Sequence, residues 1–124
     1  MTGDSLGTSL DDELLGRIRN VVAQGEVIET LTNKRPNRIV RVEPDGVWVE
    51  TMRSERLGTG PQLVPAWMIT KAWNQLRADG ELSHDDLLNA MNVKRSAFVM
   101  ALLARFPDVT VRSTYPAVIE IRRG

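Results

Sequence analysis

A chain of 124 residues with 42% hydrophobic content can bury one real core, so one compact domain is expected and a two-domain enzyme is not. Sixteen Lys and Arg balance sixteen Asp and Glu, and there is no cysteine, which excludes disulfides, thiolate catalysis and cysteine-ligated zinc. No apolar run approaches the ~20 residues of a membrane span, and the opening MTGDSLGTSLDDE lacks the basic start and apolar stretch of a secretory signal; a soluble, cytoplasmic protein with no membrane partner is the expectation.

Residues 1–8 have little to bury and are expected to be a disordered tail. Ser9 with Asp12 reads as a capping box opening a helix over residues 10–24, in which Leu14, Leu15, Ile18, Val21 and Val22 form one apolar stripe and Gly25 is the end. Val27, Ile28 and Leu31 either resume this helix or form a short strand. After the basic turn Asn33-Lys34-Arg35-Pro36-Asn37, residues 38–42 and 47–52 read as two strands joined by Glu43-Pro44-Asp45-Gly46, where proline pre-sets the turn and glycine accepts a positive φ. Alternation places Val40, Val42, Val47 and Val49 on the inner face of this hairpin, with Arg41, Glu43, Trp48 and Glu50 on the other. Residues 53–61, RSERLGTGP, read as a mobile basic loop.

Pro65 suits the first position of a helix whose buried face is Met68, Ile69, Ala72, Trp73 and Leu76 and which ends at Gly80. Ser83 with Asp86 forms a second capping box, opening a short helix through Leu87, Leu88 and Met91, and Asn92 is expected to cap a third helix over residues 93–106. From Ala97 to Ala104 this third helix has no polar side chain and must be buried on more than one face. Its first turn carries Lys94, Arg95 and Ser96 at a helix N-terminus, where free N–H groups and the helix dipole favour an anion. Pro107-Asp108 stops it, and residues 109–111 and 117–121 are short strands around Arg112-Ser113-Thr114-Tyr115-Pro116.

The charge is unevenly spread. Residues 33–62 carry six Lys/Arg against four Asp/Glu and residues 93–124 six against two, whereas residues 1–32 carry two against six and residues 63–92 two against four. A fold that joined the two basic segments would give one basic face.

From Pro65 onward the order is helix, short helix, helix, strand, loop, strand. This order resembles a winged helix-turn-helix domain over residues 63–124, and implies an α+β protein in which residues 9–62 form an N-terminal helix and β-hairpin extension. The resemblance implies that Lys94, Arg95 and Ser96 face a DNA groove and that Arg112, Ser113, Thr114 and Tyr115 are the wing. One departure is that Val99, Met100 and Leu103 follow on the face that a recognition helix keeps polar. Across the whole chain, a helix, a hairpin ending in Arg53-Ser54, a proline-led helix and a Lys-Arg-Ser-Ala-Phe-Val helix are similar to accessory modules of bacterial restriction and DNA-defence proteins.

Catalytic readings find little support. Pro44-Asp45 followed by Glu50-Thr51-Met52 resembles the PD…ExK arrangement of metal nucleases, but Met52 stands at the lysine position and Pro44-Asp45-Gly46 is better explained as a turn. His84 beside Asp85 and Asp86 is explained by a solvated first helical turn. The expectation is therefore a non-enzymatic DNA-binding module for duplex DNA, without cofactor or metal, with Lys94, Arg95 and Ser96, the wing residues, and Arg38, Arg41, Arg53 and Arg56 as candidate contacts. The alternative is a protein-interaction or dimerisation module that uses Val99, Met100 and Leu103.

Overall fold

The structure is a computed structural model and describes residues 9–122; the tail expected over residues 1–8 lies outside them. Helix α1 (Asp12–Gln24) is capped by Asp11, whose carboxylate accepts from the Leu14 N–H at 2.8 Å, and not by Ser9. Leu14, Leu15, Ile18 and Val21 are buried and Val22 partly so, as the stripe predicts. The chain then enters strand β1 (Val27–Glu29), the long strand β2 (Pro36–Glu43) and β3 (Gly46–Thr51), the last two joined through Pro44 and Asp45.

The hairpin is present, but its inner face differs from simple alternation at one position. Ile39 pairs with Val49 while Arg41 pairs with Trp48, so Val40 is an extra residue in a β-bulge. The bulge turns Val40 outward, 39% exposed, and puts Ile39 in the core beside Val47 and Val49, with Val42 partly buried against it. A second difference follows at Thr51. The stretch read as a basic loop contains helix α2 (Met52–Leu57), held by a reciprocal cap: Thr51 Oγ1 accepts from the Ser54 N–H and Ser54 Oγ accepts from the Thr51 N–H. Gly58, in the left-handed conformation, ends it. Strand β4 (Gln62–Pro65) then pairs with β3, completing an antiparallel sheet of order β1-β2-β3-β4.

Helix α3 (Ala66–Asp79) buries Met68, Ile69, Ala72, Trp73 and Leu76 as expected, with Pro65 just outside its first turn. Strand β5 (Glu81–Ser83) leads through a helical turn at residues 84–85 into a π-helical turn, Asp86–Ala90, and Ser83 Oγ accepts from the Asp86 N–H at 3.1 Å. Asn92 does not cap a helix. It has a φ of 57° and ends the π turn, because asparagine suits the left-handed position after a helix as well as the cap before one. Helix α4 (Ser96–Leu103) therefore starts later than expected, and β6 (Val109–Thr114) and β7 (Ala117–Ile121) follow it. The second sheet is antiparallel with order β5-β7-β6, which makes the fold α+β.

Helix α4 packs against α3 and also against β1, so the N-terminal and C-terminal sheets share one core. Of its eight residues only Ala97 is exposed. Val99, Met100 and Leu103 are at most 1% exposed and offer no dimer face. Among the described residues, no helix is long and apolar enough to cross a membrane.

Arg17 ties α1 to the segment after α4. Its guanidinium donates to both Asp108 carboxylate oxygens, at 2.9 and 3.2 Å, and lies over the rings of Trp73 at 4.7 Å and Phe106 at 5.4 Å. The hydrogen bond from Arg17 holds the Asp108 carboxyl below its ordinary value, against a smaller opposing effect of burial.

Two predictions follow from this packing. At Gly46 the φ is +144°, and an added Cβ would lie 2.1 Å from the Val64 carbonyl oxygen, so β4 can approach only a glycine. Gly46→Ala should destabilise by at least about 2 kcal/mol, read as a fall of roughly 8 °C or more in thermal midpoint; an unchanged midpoint would contradict the strand arrangement. Because Asp108 is depressed in the folded state, its pairing stabilises fully above the unfolded value of 3.8 and is lost as pH falls through the lower folded one. Asp108→Asn should thus cost up to about 1 kcal/mol at neutral pH and progressively less on acidification below that value, in denaturant melts at the two pH extremes. Equal loss at both would contradict the pairing.

Candidate nucleic-acid interface

Three separate stretches of chain bring cations to one groove of about 870 Å³. Arg35 comes from the β1–β2 loop, Arg53 and Arg56 from α2, and Lys94 and Arg95 from the turn before α4; no carboxylate lines it. Among the described residues none of these five cations forms an ion pair.

Local chemistry fixes each contributor. In the β1–β2 loop the buried Thr30 hydroxyl accepts from the Arg35 N–H at 2.9 Å, while the Arg35 carbonyl accepts from the Thr30 N–H and from Asn37 Nδ2, both at 3.0 Å. In α2, Arg53 and Arg56 are three residues apart and share a face. The acid between them, Glu55, pairs at 3.5 Å with Arg38, which also binds Glu50 at 3.2 Å. That exchange removes both carboxylates from the groove.

At the third wall, Arg95 donates to Gln62 Oε1 on β4 at 3.2 Å. Burial pushes its guanidinium below the ordinary arginine value, yet arginine stays charged, so it is a partly desolvated cation without a counter-charge. Ser96 is buried, with its Oγ 2.9 Å from His84 Nε2, and does not face outward as a base-reading side chain would. The first turn of α4 has no side-chain cap, and Ser96, Ala97 and Phe98 line the groove.

The remaining expected contacts lie elsewhere. Arg41 stacks on Trp48 at 4.8 Å and pairs with Glu43 at 3.6 Å. Arg112 is held by Glu81 at 2.6 Å and Glu120 at 3.3 Å. Ser113 is half-buried, and the Thr114 carbonyl accepts from Thr32 Oγ1 at 2.5 Å, which fastens the β6–β7 turn to the β1–β2 loop. Beyond that fastening Tyr115 is 84% exposed. It borders a second cavity of about 400 Å³, which shares Thr30, Leu88 and Ala97 with the basic groove and so adjoins it.

The structure thus gathers Lys94, Arg95, Arg53 and Arg56 and leaves out Arg38, Arg41 and Arg112. Arg35 and Gln62 are additions; the basic composition of the turn at residues 33–37 was a signal for the first, whereas nothing marked Gln62. Of the nuclease-like residues, Asp45 sits exposed in the hairpin turn, Glu50 is bound by Arg38, and Met52 begins α2. Among the described residues no three His, Asp or Glu side chains are grouped as metal ligands. Compared with protein-family models, with curated proteins and with solved structures, the chain matches none.

Proposed function

We propose that the protein is a non-enzymatic DNA-binding module whose phosphate-contacting surface is the groove between α2, the β1–β2 loop and the tip of α4. The observation that carries this reading is the convergence of five cations without ion pairs on a groove that no carboxylate lines. Holding like charges together costs free energy in the unliganded protein, and a ligand with closely spaced negative charges offsets it. A phosphate backbone has that spacing and gains further from release of its condensed counterions.

The order helix, strand, short helix, helix, strand, strand and the sheet order β5-β7-β6 support reading residues 66–121 as a winged helix, with the β6–β7 turn as the wing. In such a domain α4 would be the recognition helix. Its burial along nearly its whole length favours contact by its tip and by α2 over insertion into a major groove, which needs a helix that projects. The N-terminal unit is then part of the reader. A role beside a bacterial restriction or DNA-defence protein, in the cytoplasm, fits this reading and the resemblance of the chain to accessory modules.

Arg53→Gln with Arg56→Gln should weaken DNA binding and reduce the slope of log affinity against log salt by about two contacts' worth, on the order of 1.4–1.8, without lowering the thermal midpoint. Arg112→Gln, already paired in the free protein, should change both much less. Unchanged affinity in the double variant together with loss in Arg112→Gln would move the interface to the β6–β7 turn and overturn the proposal.

A further inference from the structure

The groove and the recess beside it differ in chemistry, and the division falls at the residues they share. All five cations line the larger part, while the smaller part has no Lys or Arg; Leu31, Leu88, Met100 and Ala117 give it apolar walls, His84 and the carboxylate of Asp85 also border it, and Tyr115 is at its rim. The two adjoining recesses, taken together as one trough, are cationic at one end and apolar with an exposed aromatic ring at the other. A polyanion alone does not require the second end. A nucleotide requires both, since its phosphate carries the charge and its base presents an apolar π-face.

Resting on the DNA reading above, we propose that the trough takes an unpaired nucleotide, with flanking phosphates in the cationic part and the base in the apolar part against the Tyr115 ring. Volumes of about 870 and 400 Å³ are on the scale of recesses that take single small molecules. In a matched duplex the bases are stacked and paired, and none can reach a recess beside the backbone without being extruded. Charged grooves paired with aromatic platforms are the general solution for unpaired strands, because every base has a face to stack. Tyr115 is suited to this. It is almost fully exposed, and the Thr32–Thr114 hydrogen bond keeps its turn against the β1–β2 loop that supplies Arg35.

Two sources supply such a nucleotide, a single strand or a base extruded from a duplex. The test is fluorescence anisotropy of the full chain with three labelled DNAs: a mixed-sequence strand of about 12 nucleotides, its matched duplex, and that duplex carrying one bulged nucleotide. The strand is expected to bind at least about tenfold tighter than the matched duplex, and Tyr115→Ala to weaken it about five- to hundredfold with no change in salt slope, while Tyr115→Phe keeps the affinity. Tight binding of the bulged duplex as well would identify extruded bases as accepted; tight binding of the strand alone would identify single strands as the source. If the matched duplex binds as well as the strand, or Tyr115→Ala changes nothing, the proposal is overturned, and the DNA reading stands provided that the Arg53/Arg56 variant still shallows the salt slope. Loss of binding to all three DNAs overturns both.

Discussion

The burial of α4 is the constraint on which the other features depend. Seven of its eight residues are buried, including Phe98 and the run Val99 to Leu103. One layer can cover only one side of such a helix. The C-terminal part of the chain supplies α3, and the N-terminal sheet supplies β1 for a second side. Covering an apolar side chain of this size is worth about 1.5–3 kcal/mol, so the two halves are bound by the same residues that a simple reading would place on a free face. The tip of α4 consequently emerges beside α2 and the β1–β2 loop, and the basic groove results from that docking.

Ion pairing then decides which cations remain available. Sixteen basic and sixteen acidic residues give no net charge, yet the pairing is selective. Arg17 is engaged by Asp108 and Glu13, Arg38 by Glu50 and Glu55, Arg41 by Glu43, and Arg112 by Glu81 and Glu120. These seven acids are occupied by cations outside the groove, which keeps its positive charge inside a neutral molecule. Exposed pairs of this kind are individually worth less than about 1 kcal/mol. Their larger effect is to place the field.

Elements with a strong local signal were legible in the sequence. The apolar faces of α1 and α3 followed from spacings of three and four, and the Pro44–Asp45 turn from its residue types. Features that depend on distant partners were not. The bulge at Val40 leaves no trace in an alternating valine pattern. Helix α2 was hidden because serine, and not a glutamate or glutamine, completes its cap, and because Gly58 and Gly60 suggested a loop. Asn92 was misplaced because one side chain serves two opposite helix ends. At the candidate site, Arg53, Arg56, Lys94 and Arg95 were recognisable as basic, but the pairing that separates them from Arg38 and Arg112 was not: Arg112 and its partner Glu81 are 31 residues apart.

The central proposal is that the basic groove and the recess beside it, formed where the N-terminal unit meets the tip of α4, receive the nucleic acid. Amide chemical shifts of the ¹⁵N-labelled full chain during titration with a short DNA strand test it most directly. The account predicts saturable shifts confined to the β1–β2 loop, α2, the Lys94–Phe98 stretch and the Tyr115 turn. Shifts centred instead on the outer faces of α1 or α3, with those four segments unmoved, would contradict it.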